Sequence, residues 1–145
     1  MIVTLSMEAV AQAAFAQGAL RHILHHDRPA MLTEAHRKAL NGLIERGFLN
    51  VALSLMPNAL NAERADEGML RMEVRLGDEG ADYTALLRPA MEDAVLAYVT
   101  ARAYDGVDAE LSEAADARFE ELCGKCRSIC GMSSGKPRLR PAWGR

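Results

Sequence analysis

Three cysteines stand close together near the end of the chain. Cys123, Cys126 and Cys130 are spaced C-x2-C-x3-C. Zinc and iron–sulfur centres gather thiolates in this way, because one metal needs several soft ligands within about 2.3 Å. A ferredoxin run has a fourth cysteine followed by a proline, and neither is present. The same stretch continues a helical series, Leu111, Ala115, Phe119, Leu122, Cys126 and Ile129, and a free cysteine packs as a small apolar residue. Core thiols without a bound metal or cofactor are therefore expected, and a metal or redox site is the alternative. Disulfides are not expected. The thiols are odd in number, and MIVTLSMEAV has no basic region leading into an apolar core, as a secretory signal would.

His22, His25 and His26 form a second group, with His36 further on. Imidazoles at i, i+3 and i+4 can share a metal, but no carboxylate stands among them as in H-E-x-x-H. Cationic side chains also suit a helix C-terminus, which is the expected role. Glu110, Glu113, Asp116, Glu120 and Glu121 read as a solvated face. Gly77 and Gly80 stand beside acids that would repel phosphate, and no Ser/His/Asp arrangement is evident. An enzyme is not expected.

Charge is unevenly distributed. All 20 acidic residues lie at or before Glu121, and Lys125, Arg127, Lys136, Arg138, Arg140 and Arg145 follow. An acidic body with a basic end can dock on nucleic acid or on an acidic neighbour. Trp143, the single tryptophan, lies among these cations, and Trp is enriched at binding hot spots.

The positioning elements follow from periodicity. Ser6 caps a first helix over 6–25, in which Gly18 is either a weak point or a place of close backbone approach. Thr33 caps a second helix over 33–56, ended by Pro57; its last part, 48–56, fits helix and strand alike. Residues 58–68 read as an exposed loop. Leu70, Met72, Val74 and Leu76 alternate with Arg71, Glu73 and Arg75, which predicts a half-buried strand over 70–76. Its partner is the segment 1–5, Val51–Leu55, or a strand of another copy. After a turn at 77–82, regular helix is expected from about Arg88 to 104, with Tyr83–Leu87 as a separate turn before it. This helix carries two apolar stripes, so it should be central. Asp108 caps a fourth helix over 109–130, and Gly131 suits its C-terminus.

The expected fold is mainly α: a single-domain bundle of about four helices over 1–131 with one or two short β-strands. A flexible, basic Pro/Gly/Ser-rich tail follows over 132–145. No apolar run approaches the roughly 18 residues of a membrane-spanning helix, so a cytoplasmic protein without membrane contact is expected.

The stretch LRMEVRLGDEGADYTALLRPAMEDAVLAYVTARAYDGVD, the acidic helix after it and KPRLRPAW have a recognisable layout. Over roughly residues 69–141 the chain resembles the small head–tail connector and completion proteins of tailed phages and prophages. The resemblance implies a largely helical, non-enzymatic virion assembly subunit that self-associates, in a ring, beside portal-type proteins and DNA. Arg71 and Arg75 on the strand, and Lys136, Arg138, Arg140 and Trp143 in the tail, are then the expected partner contacts. An intracellular metal or redox protein is the main alternative, using the cysteines with His22, His25 and His26. A small nucleic-acid-binding regulator, led by the basic tail, is a further one.

Overall fold

The computed structural model describes residues 1–66, 68–77 and 83–131. The elements run β1 (Ile2–Ser6), α1 (Met7–Leu24), a 3-10 turn (Glu34–His36), α2 (Arg37–Ser54), β2 (Ala59–Arg64), β3 (Met69–Val74), α3 (Thr84–Ala103) and α4 (Ala109–Ile129). The mainly α bundle with a small sheet is as expected. The turn at 78–82 and the tail at 132–145 lie outside the described residues.

The alternating segment forms the centre of a three-stranded antiparallel sheet, ordered β1-β3-β2. Leu70, Met72 and Val74 of β3 and Val3 and Leu5 of β1 are buried, while Arg71 and Glu73 face outward and are half-buried. Of the three expected partners for this strand, the N-terminal segment is one that pairs, with Val3 opposite Met72. Val51–Leu55 does not pair, because α2 runs through it. Phe48, Val51, Ala52 and Leu55 are all buried at helical spacing, and that apolar stripe decides between the two periods.

One expectation is corrected. Residues 58–68 are not simply a loop, since β2 pairs antiparallel with β3 over most of that stretch. Only Ala59 of β2 is buried, so an edge strand of polar residues leaves no alternation in the sequence. Both sides of β3 are therefore paired.

Ser6 accepts a hydrogen bond from the Ala9 N–H at 3.1 Å and Asp108 one from the Leu111 N–H at 3.2 Å, so both caps are made as expected. Thr33 differs. Its hydroxyl meets the His36 ring at 2.8 Å, and a 3-10 turn precedes α2. Gly131 adopts φ 72°, the left-handed C-terminal conformation. α3 begins at Thr84, a turn earlier than expected, and holds Pro89 inside it. Leu87 there is fully buried, so tertiary packing continues the helix across the missing N–H. α3 buries Leu87, Met91, Val95 and Val99 and also Ala90, Ala94, Ala97 and Ala101, which makes it the axis of the bundle. α4 packs along it, pinned by the Ser112 hydroxyl donating to the Ala101 carbonyl at 2.8 Å.

Candidate functional site

The three cysteines line the inner face of the last turns of α4. All three are free and buried, and the 3- and 4-residue steps between them fall on one side of a helix. Burial pushes the Cys126 thiol up to about 12 and the Cys130 thiol up to about 11, and raises Cys123 as well. A thiol needs its thiolate form to attack or to bind metal, so at neutral pH these groups pack as apolar volume. Among the described residues, no three His, Cys, Asp or Glu side chains gather as a metal-holding group. The Cys130 carbonyl accepts the Gly77 N–H at 2.7 Å, which ties the end of α4 to the end of the sheet.

His22, His25 and His26 are exposed at the C-terminus of α1. The His25 backbone N–H donates to the Arg21 carbonyl at 2.7 Å and closes the helix. On α4, Glu110, Glu113, Glu120 and Glu121 are exposed, and Asp116 pairs with Arg102 at 2.7 Å. Arg71 is shared between Glu63 at 3.3 Å and Glu73 at 3.7 Å, so much of its charge is met within the sheet. Arg75 is exposed. Lys136, Arg138, Arg140 and Trp143 lie outside the described residues.

The structure assembles a different cluster. Asp108 receives Arg21 at 2.6 Å and Arg28 at 3.2 Å on one carboxylate oxygen, while its other oxygen caps α4. The Leu111 N–H and then the two guanidiniums hold the Asp108 carboxyl below its ordinary range. The Arg21 guanidinium also lies 5.7 Å from the Tyr104 ring centre, and the Tyr104 hydroxyl accepts the Met31 N–H at 3.3 Å. Sequence reasoning found Asp108 as a cap and missed its partners, which lie 87 and 80 residues away along the chain. Local spacing carries no signal for such contacts.

Beside this cluster, α1, α3 and α4 leave a groove in two connected parts. One, of about 190 Å³, is lined by Leu20, Arg21, Leu24, Leu32, Tyr104 and Leu111 among others. The other, of about 300 Å³, runs on past Gln17 and Thr100 toward Asp93 and Arg118. Gln17, Thr100 and Leu111 line both parts. No family model matches this chain, and no match was found among curated proteins or solved structures. The functional reading therefore rests on the geometry and on the sequence layout. No helix among the described residues is long and apolar enough to cross a membrane.

Proposed function

We propose that the protein is a non-enzymatic assembly subunit of head–tail connector type, which self-associates by adding strands at the open edge of its sheet. The observation that supports this reading is the contrast between the two sheet edges. β2 is blunted by a register irregularity between Leu60 and Glu63, by Asn61 at φ 53°, and by the charges of Glu63 and Arg64. These are devices that proteins use against edge pairing. β1, with the sequence IVTLS, has no charge, no proline and no bulge.

Met1 and Val74 exchange both backbone hydrogen bonds, at 2.7 and 3.0 Å. Antiparallel alternation then turns the backbone groups of Val3 and Leu5 toward β3 and those of Ile2 and Thr4 outward. Beside them is a cleft of about 340 Å³ between Met1–Thr4 and Thr84, Ala85 and Arg88. An incoming strand would find donors and acceptors there that no described residue pairs, the mode of β-augmentation. The exposed Ile2 and Met1 add apolar area. In this reading Lys136, Arg138, Arg140 and Trp143 form a second contact element, toward portal-type proteins or DNA phosphates. Unreactive, buried thiols weigh against the redox alternative.

The test is the mass of the full chain by sedimentation across a concentration series, for the native sequence and for Thr4→Pro. Proline at position 4 removes an outward N–H and leaves the β3 bonds in place. The native chain should exceed monomer mass, and Thr4→Pro should be monomeric with a similar melting temperature. A native chain that stays monomeric overturns the proposal, as does an oligomer indifferent to Thr4→Pro.

A further inference from the structure

We propose that the cleft beside Arg21 is a binding site for a small carboxylate with an apolar tail, of the short- to medium-chain fatty-acid class. The first observation is an orphaned donor. The Arg21 Nε–H is buried and has no hydrogen-bond acceptor among the described residues. Buried polar groups are satisfied in the great majority of cases, so one that is not needs a partner. The Tyr104 ring is the group nearest in kind, and at 5.7 Å from the guanidinium carbon it is a weak substitute.

The second observation is charge. Two guanidiniums share the single carboxylate of Asp108, so the ion pairs among the described residues leave one positive charge unmatched at this end of the cleft. Asp105 and Glu110, on either side, are exposed and make no ion pair with either arginine. An anion is thus favoured over a neutral or cationic group. A carboxylate oxygen is an acceptor for Nε–H, and hydrogen bonds of ionised partners are the stronger kind.

The third observation is the wall. Leu24, Leu32, Tyr104 and Leu111 line the cleft, with Leu20 at its rim. Leu20 and Leu24 are 58% and 66% exposed, apolar area that an alkyl chain would cover. A cavity of about 150 Å³ holds a benzene, so about 190 Å³ suits a short alkyl chain. The connected groove past Gln17 and Thr100 gives a longer chain room to continue.

The experiment is calorimetric titration of the full chain with hexanoate, 1-hexanol and hexylamine. Hexanoate should bind saturably and at least about tenfold more tightly than hexanol, the scale of one charge-assisted hydrogen bond; hexylamine should not bind. Arg21→Lys keeps a cation for Asp108 but has no Nε–H, and should weaken hexanoate about tenfold. Leu24→Glu sits on the exposed rim, leaves the core intact, and should weaken hexanoate by repulsion. Absence of saturable hexanoate binding overturns the proposal. So does equal binding of hexanol, or unchanged hexanoate affinity in both variants.

Discussion

At its C-terminal end α4 buries three thiols among apolar side chains, and at its N-terminal end it holds one carboxylate between two guanidiniums. Both ends carry side chains capable of chemistry, and desolvation opposes the charged form at both, yet the net effects are opposite. Around the cysteines desolvation outweighs what Ser54, Lys125 and Arg127 offer a thiolate, so the thiols stay neutral, with Cys126 pushed up to about 12. Around Asp108 a backbone N–H and two cations stabilise the charge, and the carboxyl is held ionised. The residues that looked most reactive are packing, and the residue that looked like an ordinary cap is an electrostatic hub.

The largest effect should come from Asp108→Ala. It removes the α4 cap and leaves Arg21 and Arg28 without their shared carboxylate. Its melting temperature should fall further than that of Cys126→Ser, Gly18→Ala or Gly124→Ala. The pH dependence gives a sharper version. A carboxyl lowered on folding stabilises the protein above its unfolded value, near 3.8, and that contribution is lost as pH falls through the lower folded value. Below about pH 4 the native chain should therefore lose stability more steeply than Asp108→Asn, measured by denaturant titration at each pH. Parallel curves would show that the charged end is not a hub.

The opposite end is tested by Cys126→Ser. A buried hydroxyl in place of a fully buried thiol should cost about 1–3 kcal/mol if it finds no partner. Cys126→Ala should cost less, since it buries no polar atom. An alkylating reagent at pH 8 should leave the three thiols unlabelled in the folded protein and label them in denaturant. A neutral Cys126→Ser, or rapid labelling of the folded chain, would mean that this end is wet and would erase the contrast.

Legibility in the sequence follows the range of the interactions. The Ser6 and Asp108 caps, the β3 alternation and the buried stripe of α3 are local patterns that the chain repeats within a few residues, and they were readable. β2 was not, because a polar edge strand buries one side chain and is specified by β3 rather than by itself. The Arg21–Asp108–Arg28 cluster was not, because its members meet only when α1 docks near α4. The cysteines could be seen, and their burial at the inner face of α4 was a matter of tertiary packing.

Gly18 bears on the charged end. It lets α1 approach the segment that carries Arg28. A Cβ there would lie 2.5 Å from the Leu32 carbonyl oxygen and 2.7 Å from the Leu32 Cβ. Alanine should gain about 1 kcal/mol of helix propensity, against about 1–3 kcal/mol for forcing a packed backbone apart. Gly18→Ala should therefore destabilise by about 1 kcal/mol net, seen as a lower denaturation midpoint. A stabilised variant would mean that the Leu32 segment is not held against α1.

The smallest effect, and the one of opposite sign, belongs to Gly124, next to Cys123 at the thiol end. It is also inside a helix, but a Cβ there meets only the far end of the Arg127 side chain, at 3.8 Å. No backbone has to move, so only the entropic term remains, and Gly124→Ala should stabilise by roughly 0.5–1 kcal/mol. Measured beside Gly18→Ala, it isolates packing from propensity, because the two substitutions make the same chemical change in two helices. A rise for Gly124 with a fall for Gly18 is the expected pair. A fall for Gly124 as well would mean that the end of α4 depends on close approach at that position, and the thiol face would then be more tightly enclosed than the open space beside Gly124 implies.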